Sequence, residues 1–267
     1  KWDSTNTLMA WEDQDSTGYV PWAFQGSNYG FTAGGATGST NYSDIIDRFA
    51  FTSNVTATDW GDLSIGRSGC SGQSSSTDGF TSGGYRYGYQ NYIDKFSFTS
   101  NTTASDHGDL SVSRNGSAGQ SSSTHGFASG GYSSTTTIDK FSFSSNTTAS
   151  DHGDLSVGRQ GCTGQSSTDY GFTSGGETNN YIDKFTFSSN TTASDHGDLS
   201  LSRHSAAGQS STTDGFTSGG AISGFYQDTM DKFSFSSNTT ASDHGNLSQG
   251  RAGCSGQSQA DNGFTSG

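Results

Sequence analysis

The sequence that decides the fold is IDKFSFSSNTTASDHGDLS at residues 138–156, because it recurs along the chain with few changes. Within it, Phe141 and Phe143 alternate with Ser142, which is the period-two pattern of a half-buried strand. Glycines interrupt any helical spacing of apolar residues, so the repeat favours short strands over helices. The copies begin at Ile46, Ile93, Ile138, Ile182 and Met230, and each reaches an arginine 21 residues later.

A second repeated phrase, Gly-Phe-Thr/Ala-Ser/Ala-Gly-Gly, follows each of the first four arginines, and its last glycine lies 17 residues after the arginine. All length variation therefore falls after the Gly-Gly pair. A period of 44 to 49 residues, in which glycines separate short strands, predicts propeller blades of four strands each. In the central repeat the predicted strands are a at Ala118–Ser122, b at Gly126–Ser129, c at Ile138–Phe143 and d at Asp154–Val157.

These phrases resemble kelch-type repeats, which have a Gly-Gly doublet after strand b, an aromatic strand c, a flat ring before strand d and a closing arginine. The resemblance runs from about residue 18 to the end of the sequence and implies a β-propeller. The sequences of the repeats are also similar to tandem kelch-like repeats of marine bacteriophage virion proteins. This resemblance implies a virion-surface or extracellular location. The chain departs from the kelch pattern because only Trp60 keeps the usual tryptophan. Histidine replaces it at His107, His152, His196 and His244.

The number of blades is predicted by counting half-repeats. The sequence has six a–b halves but only five clear c–d halves, and residues 1–18 lie where a sixth c–d half belongs. Residues 2–7 weakly echo residues 143–148, which favours six blades closed by pairing of the N- and C-terminal strands. Five blades with an extra strand pair, or a longer propeller, are the alternatives. The predicted blades are about 19–67, 68–114, 115–159, 160–203, 204–251, and 252–267 completed by 1–18.

Charge and composition exclude two classes of partner. The 267 residues carry 25 acidic and 12 basic side chains, a formal net charge of −13, and only 27% are hydrophobic. An acidic chain has no electrostatic reason to bind nucleic acid or an anionic membrane surface. No apolar run approaches the roughly 18 residues that a membrane-spanning helix needs. We therefore expect neither nucleic-acid binding nor membrane insertion.

Most charged and ligating side chains occupy repeat positions, where we expect structural roles. The closing arginines should pair with recurrent aspartates such as Asp94 and Asp109. The recurrent histidine is interpreted as a packing ring, because Trp60 replaces it in one repeat and indole cannot ligate a metal. The Asp-His-Gly-Asp sequence around it is interpreted as a turn, with Ca²⁺ binding by its aspartates as the alternative.

The three cysteines are expected to pack as small side chains, because Ser117 and Ala206 stand at the same position in other repeats. In a six-bladed ring they fall in alternate blades, beyond the reach of a disulfide. The alternative is a metal site on the propeller axis with the three cysteine thiolates as its ligands. No cofactor is predicted. The cysteines are Cys70, Cys162 and Cys254.

Asn-Thr-Thr recurs on the predicted c–d turn at Asn101, Asn146, Asn190 and Asn238. Each copy is an N-glycosylation sequon if the protein is secreted by a eukaryote. The plainer interpretation is a polar turn that uses asparagine.

Function is expected where the repeats differ, on the b–c and d–a loops. Loops rich in Tyr, Asn, Ser and Gly on a rigid scaffold are typical of a recognition surface. No nucleophile–base or paired-carboxylate arrangement breaks the repeat, so we predict a non-enzymatic module that binds a glycan or a host surface protein. The alternative is a structural or decoration component of a virion or fibre. The candidate ligand-binding residues are Tyr42, Tyr85, Arg86, Tyr87, Tyr89, Tyr92, Tyr132, Asn179, Asn180, Tyr181, Phe225 and Tyr226.

Overall fold

The chain is described here by a computed structural model covering residues 28–38, 40–133, 135–259 and 261–267. Within these ranges the regular structure consists of strands alone, and no helix is present. The strands form small antiparallel sheets in a propeller arrangement, which confirms the predicted all-β class.

Five blades follow one another along the described chain. Blade 1 has β1 (Tyr29–Ala33), β2 (Ile45–Ala50) and β3 (Thr58–Asp62), and blade 2 has β4 (Ser71–Ser74), β5 (Asp78–Ser82), β6 (Tyr92–Ser97) and β7 (Ser105–Asp109). Blade 3 has β8 (Ala118–Ser121), β9 (His125–Ser129), β10 (Thr137–Ser142) and β11 (Ser150–Asp154). Blade 4 has β12 (Thr163–Ser166), β13 (Tyr170–Ser174), β14 (Tyr181–Thr186) and β15 (Ser194–Asp198).

Blade 5 carries an additional small hairpin in its b–c loop, and a further hairpin follows the blade. Its sheet has β16 (Ala207–Ser210), β17 (Asp214–Ser218), β20 (Thr229–Ser234) and β21 (Ser242–Asn246), while β18 (Ala221–Ile222) pairs with β19 (Phe225–Tyr226). The terminal hairpin consists of β22 (Ser255–Ser258) and β23 (Gly263–Ser266).

The prediction of six four-stranded blades is wrong for the described residues, which form five blades and the terminal hairpin. The hairpin corresponds to strands a and b of a repeat, and all five c–d halves of the sequence already belong to blades 1–5. The alternative of five blades with an extra strand pair matches this arrangement. Residues 1–18, which we expected to complete a sixth blade, lie outside the described residues.

Strand d also differs from its prediction. It occupies Ser150–Asp154 in blade 3 rather than Asp154–Val157, so the Asp-His-Gly-Asp sequence is the strand itself and not a turn. The ladder shifts register between Thr137 and Asp139, where a bulge lets Gly153 adopt a φ of +108°. This bulge keeps an aspartate and a glycine, which usually indicate a turn, inside a paired strand.

The core lies between blades rather than within them. Phe80 of blade 2 stacks on Phe143 of blade 3 with ring centroids 4.6 Å apart, and Phe141 joins the same buried cluster. Blades 3 and 4 repeat this contact through Phe127 and Phe187, whose centroids are 4.7 Å apart. Burying aromatic rings at every blade boundary explains how a chain with so few aliphatic residues folds.

A buried ion pair also joins neighbouring blades, as the recurrence of Arg and Asp predicts. Each closing arginine of blades 1–4 contacts the strand-c aspartate of the next blade, and these side chains are at most 1% exposed. Asp109, the other candidate carboxylate, forms no ion pair with the described residues. The pairs are Arg67–Asp94 (2.9 Å), Arg114–Asp139 (2.8 Å), Arg159–Asp183 (3.0 Å) and Arg203–Asp231 (3.1 Å).

The innermost strands β4, β8, β12, β16 and β22 lie side by side around the axis. The glutamine of one strand donates to the next blade, as Gln120 Nε2 does to the Phe172 carbonyl at 2.9 Å. The terminal hairpin makes the equivalent contact to blade 1, where Gln257 Nε2 lies 3.3 Å from the Phe31 carbonyl. The end of the chain therefore packs against its first described blade.

Candidate functional site

The b–c loops of all blades emerge on one face because the strands of each sheet alternate in direction. These loops differ in length and sequence while the sheets below them repeat. A ligand approaching this face therefore meets side chains that differ from blade to blade.

Five tyrosines from three neighbouring blades meet on this face, and we call them the tyrosine cluster. Tyr42 from blade 1 contacts Tyr85 and Tyr87 from blade 2, with ring centroids 6.0 and 5.5 Å apart. Tyr85 contacts Tyr89 at 5.5 Å, and Tyr89 stacks on Tyr132 of blade 3 at 4.2 Å with planes 25° apart. The rings thus form a continuous aromatic strip across two blade boundaries.

The blade 2 loop holds these rings by main-chain contacts. Tyr85 forms isolated bridges with Ser68 and with Tyr89, so the loop is tied to the d–a connection beneath it. Tyr87 at the tip has a φ of +52°, a conformation that non-glycine residues rarely adopt. Its hydroxyl donates to the Thr40 carbonyl of the blade 1 loop at 3.3 Å. The loop is therefore ordered while it presents its tip to solvent.

The cluster is open to solvent at three of its rings. Tyr87 is 72% exposed, and Tyr132 and Tyr89 are 43% and 37% exposed. Exposed tyrosines offer a ligand both an apolar ring face and a hydroxyl. Such a strip can stack against a flat apolar face while it donates and accepts hydrogen bonds.

Partial desolvation, followed by the hydrogen bond and charge of Tyr132, raises the pKa of Tyr89 to about 12. Its hydroxyl is therefore neutral at physiological pH. The guanidinium of Arg86 lies 5.9 Å from the Tyr87 ring centroid and forms no ion pair with the described residues. The cluster thus combines tyrosine hydroxyls with one positive charge on an otherwise acidic protein.

The remaining candidate residues of blades 2 and 4 lie apart from the described ring contacts of the cluster. Tyr92 and Tyr181 begin β6 and β14 and are each 41% exposed. Asn179 donates its main-chain N–H to the Gly176 carbonyl at 2.8 Å, which closes a turn in the blade 4 loop. Asn180 points its amide at the Leu199 carbonyl, 3.4 Å away, within its own blade.

Blade 5 carries a second exposed aromatic pair. Phe225 and Tyr226 form β19 and are 75% and 69% exposed, while Ala221 of β18 also bridges to His204 in the d–a connection. No described ring contact joins this pair to the tyrosine cluster. The pair is a matched site for comparison, since it has similar chemistry on a different loop.

Three of the four recurrent histidines are packing rings that also donate a hydrogen bond to the next blade. His107, His152 and His196 each place Nε2 2.8 Å from a main-chain carbonyl oxygen, so Nε2 carries the proton. The indole N–H of Trp60 donates in the same way to the Ser97 carbonyl at 2.8 Å. Burial lowers the pKa of His152 and His196, which keeps these rings neutral near pH 7. This geometry explains why tryptophan can replace histidine here.

The described residues contain no group of three or more His, Cys, Asp or Glu side chains placed to hold a metal ion. Burial raises the pKa of Cys70 to about 11 and also raises the pKa of Cys162, so both are protonated thiols. Cys162 Sγ lies 3.6 Å from the Ser129 carbonyl of the preceding blade. Asp106, a candidate for the Ca²⁺ alternative, accepts a hydrogen bond from the Gly108 N–H at 3.1 Å. These contacts fit packing roles for the cysteines and a role within strand d for Asp106.

The Asn-Thr-Thr sequons use their side-chain nitrogens to join blades. Each asparagine donates Nδ2–H to the carbonyl of an aspartate in strand d of the preceding blade. Nδ2 is the atom that would carry a glycan, so attachment would replace one of its two N–H donors next to the preceding blade. The structure therefore favours the structural interpretation of these turns. The contacts are Asn101–Asp59 (3.4 Å), Asn146–Asp106 (3.1 Å), Asn190–Asp151 (3.2 Å) and Asn238–Asp195 (3.1 Å).

Comparison with protein-family models and with curated proteins finds no match for this chain. The propeller arrangement is therefore supported by the strand pairing itself. The similarity to kelch repeats and to phage virion proteins remains a resemblance of sequence. No helix among the described residues has the length and apolarity to cross a membrane.

Proposed function

We propose that this propeller is a non-enzymatic recognition module that binds its ligand through the tyrosine cluster. The observation that supports this is the meeting of loops from three blades in one solvent-exposed aromatic strip. Tyrosine provides a large contact area with little loss of rotamer entropy on binding, which is why recognition loops use it heavily. The rigid blades beneath the strip reduce the ordering cost of binding further.

The ligand is a glycan or a surface protein of a host cell. The apolar face of a sugar ring can stack on an exposed tyrosine such as Tyr87, and the neighbouring hydroxyls can bond its polar edges. The net charge of −13 disfavours nucleic acid and anionic membranes as partners. The repeats resemble the kelch-like repeats of virion proteins. We therefore propose that the protein acts on a virion surface or outside the cell.

The test is binding of the purified chain to a glycan array and to a panel of intact cells. Replacing Tyr85, Tyr87 and Tyr89 together by serine should lower binding at least about 100-fold, since residues at the centre of an interface often contribute about 2 kcal/mol or more each. The melting temperature should change little, because the loop lies outside the inter-blade core.

The matched control replaces Phe225 and Tyr226 by serine, which removes exposed aromatic area from another loop. This control should keep binding. Binding that survives the triple tyrosine change in a folded sample would contradict the proposal. Failure of the folded parent chain to bind any array or cell would favour the structural alternative, in which the propeller only decorates a larger particle.

A further inference from the structure

Almost every cation that the structure describes is used by the repeat itself. Of the 12 lysines and arginines, Lys1 lies outside the described residues, and ten of the other eleven stand at repeat positions. Four of these ten are the buried arginines that pair with an aspartate of the next blade. The contacts of the other six are Lys95–Asp78 (3.3 Å), Lys232–Asp214 (3.3 Å), Lys140 and Lys184 to main-chain carbonyls (3.3 Å each), Arg48 to the Trp60 ring (3.7 Å) and Arg251 to the Gly267 carbonyl (3.1 Å).

Arg86 is the exception. It lies in the b–c loop of blade 2, outside the repeat, and its side chain is partly exposed. Its guanidinium forms no ion pair with the described residues, and its Cζ lies 5.9 Å from the ring centroid of Tyr87. The contacts that hold the described blades together therefore do not use this positive charge.

The main chain fixes the point from which Arg86 leaves the loop. Its N–H donates to the Gly88 carbonyl at 2.9 Å, which closes a tight turn at the loop tip. The side chain of Gln90 adds a second tie, because its Nε2 lies 3.2 Å from the Arg86 carbonyl oxygen and 2.9 Å from that of Gly88. Arg86 is thus held between Tyr85 and Tyr87, two rings of the tyrosine cluster.

The arginine is specific to this loop. The b–c loops of blades 1, 3, 4 and 5 contain neither lysine nor arginine. The blade 2 loop, by contrast, supplies three of the five tyrosines of the cluster as well as Arg86. Tyrosine and arginine are the residue types that most often dominate the binding energy of an interface. The unused cation and the exposed rings therefore belong to one binding surface.

The geometry of a guanidinium selects the group that it binds best. Its planar fork can donate two parallel N–H bonds to a carboxylate, which a point charge such as lysine cannot reproduce. A sugar that carries a carboxylate presents this group and an apolar ring face on the same rigid ring. The separation of 5.9 Å between Arg86 Cζ and the Tyr87 ring is short enough for one such sugar to contact both.

The charge of the whole protein limits how many carboxylates the ligand carries. Screening at physiological salt weakens charge interactions beyond about 8 Å, so a single carboxylate at Arg86 interacts mainly with that arginine. A dense polyanion would extend past Arg86 over a protein with a net charge of −13 and would be repelled. One cation beside several aromatic rings therefore fits one acidic sugar among neutral sugars.

We infer that the ligand of the tyrosine cluster is a glycan in which a single acidic sugar, flanked by neutral sugars, places its carboxylate on Arg86. This inference rests on the proposed function and names the class of glycan that the site takes. The neutral sugars stack on the exposed rings of Tyr87, Tyr89 and Tyr132. The acidic sugar pairs with Arg86, which thereby determines specificity.

The test is a glycan array of oligosaccharides that carry one uronic-acid or sialic-acid unit among neutral sugars. Each stands beside a counterpart whose carboxyl group has been reduced to an alcohol, which removes the charge and keeps the ring. Sulfated oligosaccharides complete the array. We expect acidic members to bind, and calorimetry should show that the reduced counterpart binds at least about tenfold more weakly, because losing one partner of a hydrogen-bonded charge pair at an interface is costly.

Two protein variants of equal net charge isolate the role of Arg86. Arg86→Gln should weaken binding of the acidic glycan at least about tenfold and leave binding of its reduced counterpart unchanged. Lys95→Gln removes the same charge from strand c of the same blade and should leave both affinities unchanged. Arg86→Lys keeps the charge without the planar fork, so its affinity should lie between those of the parent chain and Arg86→Gln. Circular dichroism establishes that the variants are folded.

The outcomes separate this inference from the proposed function. Equal binding of acidic and reduced glycans, an unaffected Arg86→Gln variant, or an equal loss with Lys95→Gln would overturn the inference. Binding confined to neutral glycans, sulfated glycans or proteins would overturn it as well. The proposed function would survive each of these results as long as the triple tyrosine variant lost binding. A folded parent chain that binds no glycan and no cell would overturn both.

Discussion

At the scale of single residues, the closing arginines show how the same side chain has two different energetic roles. Arg114 is 1% exposed and pairs with Asp139 at 2.8 Å, whereas Arg251 is partly exposed and pairs with no described carboxylate. Arg114→Gln leaves Asp139 buried without its cation, so we expect a loss of about 3–5 kcal/mol in unfolding free energy. Arg251→Gln should cost less than about 1 kcal/mol.

Urea denaturation of both variants measures this contrast, and the wild-type chain gives the reference. Equal destabilisation by the two changes would contradict the assignment of Arg114 to a buried inter-blade pair. The pairing of Arg with a recurrent Asp is predictable from the sequence, because both residues repeat in register. The choice of Asp94 rather than Asp109 is not predictable in this way, because both aspartates recur at constant spacing and only the packing of blades separates them.

At the scale of elements, strand d depends on a glycine that touches the next blade. Gly153 has a φ of +108°, and a Cβ added there would lie 2.4 Å from the Thr191 carbonyl oxygen. Gly245 has a similar φ of +115°, but an added Cβ would meet only Met230 Cε at 3.6 Å. Gly245→Ala should therefore cost the backbone strain alone, about 1–2 kcal/mol. Gly153→Ala should cost clearly more, because the neighbouring backbone must also move.

The two alanine variants are compared by their melting temperatures at one pH and salt concentration. A larger loss of melting temperature for Gly245→Ala would mean that backbone strain, rather than contact with the next blade, is the reason that glycine occupies this position of the repeat. The same contact explains why strand d is misplaced by sequence reasoning. Asp, His and Gly have low strand propensity, and their pairing here is fixed by the hydrogen bond of His152 to the next blade, which is a tertiary contact.

At the scale of the whole molecule, the sequence predicts the propeller well but predicts its binding surface only in outline. The period of the repeats determines the sheets, and loop variation identifies the face that differs from blade to blade. Which loop residues meet depends on blade neighbours: Tyr89 stacks on Tyr132, 43 positions further along the chain, while Asn180 points into its own blade. The blade count fails for a related reason, since six a–b halves do not require six complete sheets.

The blades differ in how far their described neighbours bury them. We therefore expect the rates of amide hydrogen exchange to differ between blades. Blades 2–4 have buried arginine pairs and aromatic contacts with a successor blade, so their strands should exchange only through large openings of the ring. The amides of β21 and β23 should exchange much faster, because among the described residues no strand follows β21 in blade 5 and β23 is the edge of a two-stranded sheet. Exchange followed by mass spectrometry, with β10 as the internal reference, measures this difference. Equal protection of β23 and β10 would show that another segment already pairs with the hairpin in the isolated chain.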